Sequence, residues 1–276
     1  MTRRSPLSSV ALYTAVAAVG FFAVAPFAWM VLTSIKPDSD ILRSTPVLWP
    51  SEPILSRYGE VLDAGFARAL VNSLKVAGAT TLAGVTVAAL AGYALARFTL
   101  PLKRFLLLGV MSVQMFPMVV LIVPLFAVMR RLDLLNSLWG LAIAYLSFTT
   151  PLAVWMLKSF LETIPKEMEE AAMSDGATRV GAMVRVVLPL AGPGLAATAI
   201  FSFIAAWNEF LFALTFVKQE SAKTLPVLLQ SFVGRSQADW GLIMAASVLF
   251  TLPVIGFFLA VHRRLVEGMV SGSVTG

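Results

Sequence analysis

The sequence predicts an all-α, polytopic membrane protein with six transmembrane helices, and three observations carry that reading. Of 276 residues, 58% are hydrophobic and only 13% are charged, where a water-soluble domain has roughly 45–50% and about 25%. Six apolar runs reach or approach the roughly 20 residues that cross a bilayer. These runs are continuous rather than alternating, so each must satisfy its backbone internally as a helix, because an open strand in lipid cannot.

The six predicted spans cover residues 9–34, 69–95, 105–129, 138–160, 186–216 and 241–261, in one membrane domain over 1–276. Arg3 and Arg4 precede the first run, as in a secretory signal, but Val10 to Thr33 exceeds the ~15 apolar residues of a signal core. It reads as a retained span. The second span carries Gly84, Ala88 and Gly92 four residues apart, a stripe of small side chains that lets another helix approach closely. Pro26, Pro117, Pro124, Pro151 and Pro253 fall inside spans and predict kinks there.

The formal net charge is +6 and the sequence pI about 9.9. Lys and Arg occur in short groups flanking the apolar runs, with no basic stripe, which excludes nucleic acid as a partner. Their distribution is instead read through loop bias. With both termini inside, eleven basic residues face the cytoplasm and nine face outward, Lys36, Arg43 and Arg57 among them. Lys75 is left in a span, where it is expected to snorkel outward.

Chemistry in the chain is sparse. There are no cysteines and one histidine, His262, so thiol catalysis and a metal cluster are excluded. No Gly-x-x-x-x-Gly-Lys-Ser/Thr run supplies a phosphate cradle, and no nucleophile–base arrangement stands in for a hydrolase. Glu209 is the one acidic group predicted at membrane depth, next to Asn208. A carboxylate there faces a cavity, a neighbour or the interface. Two readings stand: Asn208 and Glu209 line a path, or Glu209 lies near its helix end and ties spans together.

The longest hydrophilic stretch, 163–189, lies between spans four and five. Pro165 suits a first helical position, and Glu167, Glu169 and Glu170 suit the opening turns of a helix. Gly176 can take the left-handed conformation that ends it. Thr178 can cap a second helix, which is expected to stop before Pro189. Met168, Ala171 and Ala172 share one face of the first helix; Val180, Met183, Val184 and Val187 share one face of the second. Such a pair either docks on a partner or lies on the lipid interface.

This segment resembles the EAA loop of permease subunits of ATP-binding-cassette importers. Glu170-Ala171-Ala172 is followed after three residues by Gly176, and after nine more by Val186-Val187-Leu188-Pro189. Asn72-Ser73, Gly92-Tyr93-Ala94-Leu95-Ala96-Arg97, Trp207-Asn208-Glu209-Phe210, Leu225-Pro226 and the Gly268, Gly272, Gly276 tail are similar to the carbohydrate-uptake group, closest in pattern to the shorter six-span permease of maltose-type importers. Met183 stands where many members have an aromatic, and Thr275 where a Lys is usual.

The resemblance implies a coupling element that docks on a separate ATPase through Glu170, Ala171, Ala172, Asp175, Gly176, Ala177, Leu188 and Pro189. ATP and Mg would be bound by that partner, with no cofactor in this chain. It further implies a second homologous permease, two ATPase subunits, an extracytoplasmic solute-binding protein and a sugar substrate moved by alternating access. Both termini would then be cytoplasmic in a bacterial-type inner membrane. An ATP-independent secondary transporter or channel is the alternative; such proteins show repeats and charges within spans, and this chain has no visible repeat and few such charges.

Overall fold

The computed structural model describes residues 6–233 and 238–272, with side-chain surroundings for 9, 12–233 and 238–262. Arg3, Arg4, Arg235, the side chains of Arg263 and Arg264, and the tail from Ser273 through Thr275 to Gly276 lie outside the described residues.

Helices account for the architecture. Four are long and apolar enough to cross a membrane: α1 (Pro6–Ser34), α3 (Phe66–Arg97), α6 (Leu138–Leu161) and α12 (Trp240–Gly272). The short α2 (Ser56–Asp63) precedes α3. The helix α4 (Lys103–Ser112), extended by a 3-10 turn to Met115, meets α5 (Met118–Arg131) at 99°. The run α8 (Arg179–Leu190) meets α9 (Gly192–Trp207) at 75°. Between α6 and α8 lies α7 (Glu167–Ser174), and beyond α9 come α10 (Leu211–Phe216) and α11 (Leu225–Ser231). Among the described residues, up to six segments are long and apolar enough to cross a membrane when each bent pair counts as one.

The third and fifth segments are each a sharply bent pair of helices, and of the predicted proline kinks only the one at Pro117 coincides with such a break. Pro117 removes a backbone donor and pushes Phe116 to an extended conformation, φ −81° and ψ 130°, which an α-helix cannot continue. Pro26, Pro124, Pro151 and Pro253, in contrast, all sit inside unbroken helices. Only one of the five prolines singled out interrupts its helix. Among the described residues no strand forms, apart from an isolated bridge between Val233 and Ala238.

By packing, the chain divides into two compact units, Met1–Phe66 with Leu229–Leu252 and Ala67–Leu228 with Pro253–Gly276. In the first, the segment after α1 is organised by charge. Lys36 is 2% exposed with its ammonium 3.9 Å from the Trp29 ring centroid. Arg57, 6% exposed, donates to the Lys36 carbonyl and, at 2.5 Å, to Asp38 Oδ1. A Cβ at Gly241 would overlap the Arg57 guanidinium, so glycine makes room for it. Asp40 Oδ2 accepts from the backbone N–H of Ser51 at 2.9 Å and its hydroxyl at 2.8 Å. Two cations counted as outward loop charges are thus buried, held by these partners.

In the second unit α3, α6 and α9 supply the core. The small-residue stripe does what its spacing predicts. Ala88 is fully buried, and a Cβ added at Gly92 would sit 3.0 Å from the Lys158 backbone nitrogen of α6. At the start of α3, Asn72 Nδ2 donates to the carbonyls of Ser221 and Lys223, both at 2.9 Å. Ser73 Oγ accepts from the Leu225 N–H at 2.8 Å. Lys75 is exposed on α3.

Candidate functional site

The segment 163–190 folds as two helices joined at a tight turn. Glu167, Glu169 and Glu170 occupy the first turn of α7, where the helix dipole favours negative charge. Lys166 is the N-cap, so Pro165 lies one residue outside the helix, not at its first position. The amide of Gly176 bonds the Met173 carbonyl at 3.1 Å, and Gly176 has φ +91°, the left-handed conformation anticipated for it. Thr178 caps α8 by accepting from the Gly181 N–H at 3.1 Å.

The second helix does not stop before Pro189. It passes through a π turn at Met183–Val187 and continues to Leu190. Proline lacks the donor for an i→i−4 bond and its ring presses on that carbonyl. The wider turn just ahead accommodates both, so the segment stays helical.

The expected apolar faces are divided by packing. Met183 and Val187 are buried in a cluster with Tyr93, Ala96, Leu157 and Leu161, and Leu188 packs against it. Val180 and Val184 on the same helix are 67% and 52% exposed, and Met168 on α7 is 48% exposed. Glu170, Ala171, Asp175, Gly176 and Pro189 are exposed too, with Ala172, Ala177 and Leu188 half-buried. The result is a buried set that fixes the pair of helices and an exposed set, Met168, Val180 and Val184 together with Glu170 and Asp175.

The buried set has a polar anchor that motif reading passed over. Glu169, immediately before the Glu170-Ala171-Ala172 run, is 5% exposed. Its Oε2 accepts from Arg97 Nε at 3.0 Å and its Oε1 from the Tyr93 hydroxyl. The one available signal was the Gly92–Arg97 sequence at the end of α3.

A second feature lies between α9 and α10, where the helix breaks at Asn208–Phe210. Glu209 is 7% exposed; its carboxylate accepts from the backbone N–H groups of Phe212 at 2.8 Å and Ala213 at 3.2 Å. It caps the restarted helix, satisfying donors that an interrupted helix leaves open. Asn208 Nδ2 turns back to the Ile204 carbonyl at 2.9 Å. Both residues also line a recess of about 460 Å³ with Gln114, Phe148, Phe201 and Phe210. Phe148 stacks on Phe212 at 5.8 Å between ring centroids, which fixes one wall. The observed hydrogen bonds of Glu209 are local, to residues three and four ahead on its own chain. It ties its own chain together and borders a cavity.

Comparison with known proteins agrees with this geometry. The family described as binding-protein-dependent transport system inner membrane component matches residues 84–270. The chain is 39% identical over 253 residues to the sulfoquinovosyl glycerol transport system permease protein of Agrobacterium fabrum, covering 91% of this chain and 88% of that one. It is 38% identical over 258 residues to the trehalose transport system permease protein of Mycobacterium tuberculosis, 92% and 93% covered. It is 34% identical over 278 residues to the trehalose/maltose transport system permease protein of Thermococcus litoralis, 99% of both covered. In fold it matches a chain of a bacterial ABC transporter that imports the acidic polysaccharide alginate, with TM-score 0.76 and 22% identity over 95% of this chain and 99% of that one. A buried ion pair under the paired helices, exposed apolar side chains on them and a broken helix beside a recess are thus features of a chain that belongs to the family of inner-membrane components of binding-protein-dependent transport systems.

Proposed function

We propose that this chain is the permease subunit of an ATP-driven importer for a sugar or sugar-like solute, and that α7 and α8 take up the motion of a separate ATPase. One observation carries the reading. Met168, Val180 and Val184 stay exposed on an element whose Glu169, Met183 and Val187 are buried against the bundle. Exposed apolar side chains on the same two helices as the exposed Glu170 and Asp175 suit contact with a partner cleft, and the buried side chains behind them let a push there reach the spans. Names of the relatives support the solute class: sulfoquinovosyl glycerol, trehalose and maltose.

The full assembly in this reading has a second homologous permease, two ATPase subunits that bind ATP and Mg, and a solute-binding protein on the outer side. Both termini and the α7–α8 element lie in the cytoplasm. Gln114, Asn208 and the aromatic rings around them border the route of the solute. The cycle is alternating access: closure of the ATPases draws the docked elements together, and the recess changes the side to which it opens.

The test is co-purification of the ATPase with this chain from membranes. Gly176→Val forces a β-branched residue into a left-handed conformation, and Glu170→Lys reverses an exposed charge on the docking element. Both variants are expected to insert in the membrane and to lose the ATPase. Recovery of the ATPase at wild-type yield with both would overturn the docking role.

A further inference from the structure

The cytoplasmic end assigned above contains a buried ion pair whose geometry goes beyond the burial of Glu169 that the docking reading uses. Arg97 closes α3 and Glu169 opens α7; their side chains are 4% and 6% exposed with Nε to Oε2 at 3.0 Å. The Tyr93 hydroxyl donates to the other carboxylate oxygen, and Arg97 Nη2 donates to the Ile164 carbonyl at 3.1 Å. Both oxygens of Glu169 and both faces of the guanidinium fork are engaged.

A second contact reaches the same end of α3 from the other helix of the pair. The Arg179 guanidinium, in the first turn of α8, lies 5.1 Å from the Phe98 ring centroid. Phe98 in turn sets its ring edge-on to Tyr93 at 6.1 Å. So α7 and α8 are each fastened to the end of α3, at points separated by the Gly176 turn. One attachment would leave a pivot; two prevent rotation about either.

Stability alone does not account for the pair, because buried ion pairs are often no better than apolar residues of the same volume. What an ion pair held by three directional bonds adds is a fixed geometry. An apolar contact can slide under load. We propose that Glu169 and Arg97, steadied by Tyr93, form a clamp that carries displacement of the α7–α8 element into α3 without slip. Glu169 is thus a positioning residue for coupling, distinct from the exposed docking residues beside it. The proposal rests on the docking reading above.

The natural chain has no cysteine, so two labelling sites can be added cleanly. Spin labels at Ser174→Cys on α7 and Leu82→Cys on α3, the latter position 74% exposed, report the separation of the two helices. The sample is the intact importer with its ATPase, nucleotide-free and trapped with ATP and vanadate. The clamp predicts one narrow distance in both states. In Glu169→Gln, which removes the charge and leaves one acceptor oxygen where Arg97 and Tyr93 each used their own, the distance is expected to broaden or shift between states by more than about 3 Å, the rise of two helical residues. If Glu169→Gln fails to assemble, Arg97→Met with Glu169→Met removes the uncompensated charge and is read instead. Unchanged distances in the variant that assembles, or a comparable shift in the wild type, would overturn the clamp. Failure of the wild-type chain to bring down an ATPase would instead remove the docking reading, and the clamp with it.

Discussion

Glu209 accepts a hydrogen bond from the Phe212 amide at 2.8 Å, three residues ahead on its own chain. A carboxylate buried at the break between α9 and α10 is therefore spent on backbone donors that lipid or an apolar core could not satisfy.

Glu209→Ala removes the acceptor for two buried N–H groups, and the expected loss of stability is about 1–3 kcal/mol. Glu209→Gln keeps one carbonyl oxygen in place and should lose much less. Thermal unfolding of the purified complex distinguishes them, and solute uptake into proteoliposomes reports whether the recess survives. Equal melting temperatures for wild type and Glu209→Ala would remove the capping role.

Gly92 allows α3 to approach the α6 backbone, with only 3.0 Å between a built Cβ and the Lys158 nitrogen. Gly92→Leu should wedge the helices apart at a cost of about 1–3 kcal/mol, the usual penalty of overpacking. Gly78→Ala on the same helix meets nothing within 4 Å and should be silent. A melting curve for each variant is the measurement.

At the opposite end of α3, Asn72 and Ser73 bond the chain around Ser221, Lys223 and Leu225. Asn72→Ala leaves two carbonyls without their donor, which costs about 1–3 kcal/mol if they stay buried. The ATPase should still co-purify, since the substitution lies at the far end of α3 from Arg97. Loss of the ATPase at normal expression would contradict this separation.

Asp40 gives a pH dependence. The Ser51 backbone N–H, then its hydroxyl, hold the Asp40 carboxyl below the usual carboxylate range; partial burial opposes this, and Arg43 and Lys36 assist. A lowered folded value means the stabilisation is fully present above the unfolded aspartate value and is lost as pH falls through the folded one. Protease cleavage between residues 36 and 57 should therefore rise only at acid pH below the ordinary aspartate range. In Asp40→Asn that acid step should disappear.

Parts of this architecture were plain in the residues. The left-handed Gly176, the Thr178 cap and the Gly84-Ala88-Gly92 stripe are each local: a few consecutive side chains decide φ, a cap or a closest approach. Proline shows where such reasoning ends. Pro117 breaks its helix, whereas Pro26, Pro124, Pro151 and Pro253 do not, and Pro189 is absorbed by a π turn. Each outcome depends on which neighbouring groups take up the freed carbonyl. The split of the α8 apolar positions, with Val187 inward and Val184 outward, likewise depends on what packs against the helix.

By itself the sequence determined that the chain lives in a bilayer, how many apolar segments it has and where its paired-helix element lies, because hydropathy and short-range backbone preferences act over neighbouring residues. Tertiary structure alone decided that Glu169 rather than Glu170 is the buried carboxylate, that its partner is Arg97 in a different helix, and that Asn72 meets a loop some 150 residues later. Those choices turn on which charges must be paired once water is excluded, and only the folded chain brings the candidates together.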